Sequence, residues 1–207
     1  QIIKSGKFGF FIMLLILLPL CGNIDYVLGL WLVDVPAHTA NFVVLVLLYS
    51  LLDGILTPIA IGVFAQGEIK AYEIALCIIY AVNFIASYVC LKLGMAPETV
   101  FVLNIAFKAC VLADLLVHSK AKYAFPVHAF LKQCLLPSAV VFVLSGAFTY
   151  FMPWEAPNSF WEFLLHTLAI IICTSLMALA IGMTKGERLF LKKNLRDKIT
   201  VKLYRKI

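Results

Sequence analysis

Two ionisable residues stand where a long apolar chain should carry none. Asp53 falls midway along one uncharged stretch and Lys108 midway along another. An unpaired charge at such a depth in a membrane would cost at least about 2.5–3.5 kcal/mol on insertion scales. Both are therefore expected to face a bundle interior or water. Asn104 lies four residues before Lys108, so the two project from one face of a helix, and Asn83 and Ser87 form a second such pair. Together they predict a polar, partly cationic cavity rather than a uniformly apolar bundle. The plainer reading of Asp53 and Lys108 is an ion pair that holds two helices together. For Asn83, Ser87 and Asn104 the plainer reading, interhelical amide and hydroxyl bonding, is the stronger one. Asp114, six residues beyond Lys108, is expected nearer the interface.

Little else in the chain could do chemistry. It has no phosphate-binding loop, dinucleotide turn, HExxH or GxSxG sequence. Its four histidines, His38, His118, His128 and His166, are not paired at metal-ligand spacing. The six cysteines are scattered singly through apolar segments, as small buried hydrophobes would be. The expectation is a protein that is not an enzyme and takes no cofactor, metal or nucleic acid.

The elements that must position these residues follow from composition. The 207 residues are 63% hydrophobic and 14% charged, more apolar surface than a water-soluble domain of this length can hide. Apolar runs broken by polar or Gly/Pro clusters give about six spans of membrane length. They lie near residues 8–24, 41–65, 74–91, 99–117, 134–152 and 160–183, with a basic tail over 184–207. The predicted fold is thus an all-α integral membrane bundle. Residues 24–33, with Tyr26 and Trp31, read as an amphipathic turn at an interface, where Trp154 and Trp161 also belong. Phe125 to Leu131 reads as a short interfacial helix. Gly54 and Pro58 should bend the second span just after Asp53.

Charge placement orients the bundle. Of the seventeen Lys and Arg, two precede the first span, Lys70 lies in the second loop, three lie between spans four and five, and nine follow the last span. Lys92 alone stands on the opposite side, with Asp25, Asp34, Glu98, Glu155 and Glu162. Basic loops stay in the cytoplasm, so both termini of the chain are expected there. The basic tail, Lys185 to Lys206, is read as a topology anchor that touches inner-leaflet phospholipid. Lys4 and Lys7 before Phe8 to Leu20 resemble a signal peptide, but small residues are missing where a peptidase would need them and further spans follow. The start at Gln1, almost directly on apolar sequence, reads as the C-terminal part of a longer protein.

Several short runs resemble one family. Leu18-Pro19 to Ile24-Asp25, Val27 to Leu32 and Val35-Pro36 are similar to the helix and outer turn of polysaccharide flippases of the multidrug/oligosaccharidyl-lipid/polysaccharide exporter superfamily. Gln66 to Tyr72, Ser87-Tyr88, Leu93-Gly94 with Pro97-Glu98, and Thr184 to Arg188 are similar to other turns of those proteins. The resemblance spans essentially the whole chain. It implies the C-terminal portion of a two-lobed transporter of twelve or fourteen helices in a bacterial inner membrane. The implied cargo is an undecaprenyl-diphosphate-linked oligosaccharide for surface polysaccharide such as O-antigen, with H⁺ or Na⁺ as a possible coupling ion. Lys108 is the candidate cation for the cargo by position and charge, and Asp53 the candidate ion site. A cation-coupled drug exporter of the same superfamily is the first alternative, and a membrane-embedded glycan-pathway enzyme the second.

Overall fold

The computed structural model describes residues 1–67, 69–151, 157–184 and 186–188. Glu68, Trp154, Glu155 and the basic tail beyond Arg188 lie outside the described residues. Helices account for the chain in this order: α1 Ile2–Gly22, α2 Ile24–Trp31, α3 Thr39–Phe64, α4 Lys70–Lys92, α5 Thr99–Tyr123, and α6 Val127–Phe130. A π-helical turn Leu131–Leu135 then leads into α7 Leu136–Phe151, and α8 Phe160–Met177 ends in a second π turn, Ala178–Gly182. Six of the resulting rods are long and apolar enough to cross a membrane. The protein is an all-helical, multi-pass membrane protein.

The helices form a row that thickens at one end. Edge helix α4 packs chiefly on α5, α5 packs on α3, α3 on α1, and α1 on both α7 and α8. Position in the row sets burial. The six-span core runs through Phe10, Leu14, Leu17, Ile55, Ile59, Leu115 and Val141, with α1 at its centre.

The α1–α3 crossing is tight for a stated reason. Pro58 has no N–H, so the carbonyl of Gly54 loses its helical partner. That carbonyl lies where a side chain on Gly9 would point, 3.2 Å from the Cβ position, and a Cβ on Gly54 would in turn meet Gly9 backbone at 3.4 Å. Two glycines thus let the backbones touch, as small residues do between membrane helices. A second proline is handled differently. Pro137 would collide with the carbonyl four residues back in a regular helix, and the π turn just before it carries a wider bond, from Leu136 N–H to Leu131 O.

Several helices run beyond the lengths expected from hydropathy, α5 among them, which continues to Tyr123 rather than ending near 117. The first span begins at Ile2 rather than Phe8, so Lys4 and Lys7 sit inside it. Lys7 is 1% exposed, and its Nζ lies 2.6 Å from Glu187 Oε2, which neutralises it. The expected separate helix at Phe125 to Leu131 is instead the first part of one rod over 127–151, because Phe130 and Cys134 are both buried in the bundle core. The Lys7–Glu187 bond joins the start of the first span to the segment after the last one, so both lie at the same end of the bundle, hereafter the basic end.

Candidate functional site

All four residues expected to line a site come together where α3, α4 and α5 face one another. Asp53 Oδ1 and Lys108 Nζ form an ion pair at 2.5 Å. Asn83 donates its side-chain N–H to Asn104 Oδ1. Heptad-like spacing aligns them: Asn104 and Lys108 share one face of α5, Asn83 and Ser87 one face of α4, and Tyr49 and Asp53 one face of α3. The cluster sits at mid-length, Lys108 being the tenth residue of the 25 in α5 and Asp53 the fifteenth of the 26 in α3.

Two tyrosines complete it that sequence reasoning passed over. Lys108 Nζ stands 4.1 Å from the centre of the Tyr49 ring, a cation–π contact that favours a partly desolvated ammonium. Tyr80, from α4, lies beside Tyr49 and Lys108 and is 45% exposed. The available signal was the four-residue step from Tyr49 to Asp53, and the step of three from Tyr80 to Asn83.

Burial divides the ion pair unequally. The Lys108 side chain is 7% exposed and that of Asp53 42%. Lys108, on α5, is therefore the covered member of the pair, and Asp53, on α3, the open one. Ser50 and Thr57 flank Asp53 along the same outward stripe of α3. A half-exposed carboxylate in the middle of a membrane-length helix must face water or another polar body, because lipid offers it no partner. Asn83 Oδ1 adds an open acceptor: it is buried and has no hydrogen-bond partner among the described residues. Such an arrangement can hold an anion against Lys108, stack an apolar sugar face on tyrosine and accept a hydroxyl on an amide oxygen.

Below the cluster, toward the basic end, Asp114 and His118 pair along α5 at 3.1 Å, and the His118 ring lies edge-on to Tyr72 of α4. At the opposite end, His38 and Asn41 of the α3 start both reach the Glu98 carboxylate at the start of α5. The Glu98 carboxyl is held below its ordinary value by its own backbone N–H, then by Asn41 and His38. At the basic end, Glu187 accepts from Lys7 and from Thr184 N–H, while its own N–H donates to Thr184 Oγ1. This is a reciprocal helix cap. Burial alone would raise the Glu187 carboxyl, but the bonds from Lys7 and Thr184 outweigh it and hold it low. Arg188 donates to the carbonyls of Met183 and Ala180, at the end of the second π turn.

No group of three or more potential metal ligands occurs among the described residues. Fold and cluster together define a class: a helical membrane protein with a charged, tyrosine-flanked cluster at mid-length of its spans. The chain matches no family model, no curated protein and no solved structure.

Proposed function

We propose that this protein is a transporter that flips a lipid-linked saccharide, of the undecaprenyl-diphosphate type, across a bacterial inner membrane for surface polysaccharide synthesis. In this reading the six helices are one lobe of a two-lobed transporter of twelve or fourteen, with both ends of the lobe cytoplasmic. The observation that carries it is the unequal Asp53–Lys108 pair: a mid-span cation that is almost wholly buried, held by a carboxylate that is left half-exposed. The flanking tyrosines suit sugar rings, and the motif resemblance in Leu18 to Pro36 and Gln66 to Tyr72 points the same way.

The geometry suggests how cargo and ion could be coupled. One ammonium cannot neutralise both Asp53 and a diphosphate. An arriving diphosphate competes with Asp53 for Lys108, and the released carboxylate is then open to a proton or Na⁺. Cargo binding on one side and ion binding on the other thus compete through one lysine.

The test is surface-glycan display by the protein in a host lacking its own flippase, with Lys108→Ala at matched expression. Display that is restored by the wild type and lost in the variant supports both the function and the cationic site. Restored display indifferent to Lys108→Ala keeps the function and removes Lys108 from it. Absent display, with lipid-linked glycan accumulating inside, rejects the flippase in favour of an exporter of small cations.

A further inference from the structure

Further along α5 from Lys108, toward the basic end, stands a second titratable cluster. His118 Nδ1 lies 3.0 Å from the main-chain oxygen of Asp114 and 3.1 Å from its Oδ1. A carbonyl can only accept, so Nδ1 carries the ring proton. In the neutral ring that leaves Nε2 as a bare base. The orienting carboxylate is itself incomplete: Asp114 Oδ2 is buried and has no hydrogen-bond partner among the described residues. Both side chains are largely covered, His118 at 21% and Asp114 at 17% exposed.

Charge decides what such a pair holds. With a neutral imidazole it carries a net negative charge and a buried oxygen without a donor, in a helix of membrane length where both are costly. A further proton on Nε2 makes the pair neutral overall. The other charges on the packed helices are placed elsewhere. On α4, Lys70 and Glu73 are exposed, and α3 has no titratable side chain over residues 54–64. On α5, Lys108 is bonded to Asp53, and Lys120 and Lys122 lie in the last turn.

Tyr72 of α4 links this pair to mid-span. It is 3% exposed, its ring centre lies 5.9 Å from that of His118, and it is within electrostatic reach of Asp114, Lys108 and Tyr80. Lys108 and His118 are about 15 Å apart along the helix axis. Tyr80 stands beside the first and Tyr72 beside the second. A phenol can accept a proton on one side while donating its own on the other.

We infer that Asp114 and His118 form a proton-holding pair that supplies the Asp53 carboxylate from the basic end, by way of Tyr72 and Tyr80. His118 releases the Nε2 proton toward mid-span, Asp53 gains it when its lysine is drawn away, and His118 is reprotonated from the basic end. Asp114 is a positioning residue that fixes the ring and its tautomer. The inference rests on the flippase reading for what draws Lys108 away.

The experiment uses the full chain in detergent. Nitrogen NMR with isotope-labelled histidine reads the tautomer of His118, identified as the signal that His118→Gln removes. The neutral ring should be protonated at Nδ1; protonation at Nε2 overturns the pair. Stopped flow with a pH-sensitive dye, in weakly buffered sodium-free solution, then reads the supply. Added undecaprenyl diphosphate should draw a proton from solution, and Asp53→Asn should abolish this uptake. His118→Gln should slow it about 10²-fold without reducing its extent. Tyr72→Phe, which keeps the ring and removes only the hydroxyl, should slow it as well and carries the test if His118→Gln aggregates. No uptake by the wild type, or uptake as fast in these variants, overturns the supply role. Glycan display is scored separately: display with unslowed uptake rejects this relay alone, while slowed uptake in the variants without display by the wild type rejects the flippase reading alone.

Discussion

Lys108 and Asp53 share an ion pair but not its consequences. Asp53→Asn strands a lysine that is 7% exposed, whereas Lys108→Ala leaves a carboxylate that already reaches out through a 42% exposed side chain. Removing one partner of a buried pair costs about 3–5 kcal/mol, because the other charge is left unpaired. The expected outcome is that Asp53→Asn lowers the melting temperature in detergent clearly more than Lys108→Ala; the opposite order would show that Asp53 is the desolvated member. Acid should act elsewhere. Glu187 is held below its ordinary 4.5, so the stability it contributes is fully present above that value and is lost as pH falls through its lower, folded value. A thermal-stability scan from pH 7 downward should show the wild type falling toward Glu187→Gln in that acid range, with little change between pH 7 and 5. Residue-level legibility followed sequence distance. Four-residue steps announced Asn104 with Lys108 and Asn83 with Ser87. Tyr49 and Tyr80 were hidden because a tyrosine in an apolar run looks like filler. Lys7 was read as a topology charge because its partner stands 180 residues away.

Among the elements, α3 has the most to reconcile. One face carries Ser50, Asp53 and Thr57, the opposite face floors an apolar slot, and a third presses Gly54 on Gly9 of α1. A side chain at Gly54 must push α1 and α3 apart, since what it meets is backbone and cannot rotate away. Gly54→Leu is expected to destabilise by roughly 1–3 kcal/mol or more, as overpacking does, and to reduce the folded fraction seen by size-exclusion chromatography. The same substitution at Gly29, where nothing lies within 4 Å, should be tolerated. Hydropathy revealed the rods, because each carries an apolar window of membrane length. It missed their ends, since a helix continues through Lys4 and Lys7 after the apolar run has stopped. The break expected before residue 134 failed for a related reason: Lys132 and Gln133 are polar, yet they ride on the exposed side of a rod whose other side buries Phe130 and Cys134.

At the scale of the whole molecule, the row of helices places its charged cluster toward the thin end, among α3, α5 and edge helix α4. If the cluster couples cargo to an ion through Asp53, then Asp53→Asn should leave glycan display that no longer responds to a protonophore or to sodium removal, provided the variant is expressed. A response equal to that of the wild type would take the coupling role from Asp53. The basic residues predicted that both ends of the bundle share one side, and the structure brings the two ends of the described chain together through a direct bond.

That bond also has a place in time. A ribosome delivers Lys7 first and Glu187 after 180 further residues, so the central helix must enter the bilayer with a lysine whose counter-charge has not yet been made. Until then Lys7 stays near the headgroups and α1 sits shallow. The hub of the bundle is therefore expected to reach its final depth last, after every helix that packs around it has been translated.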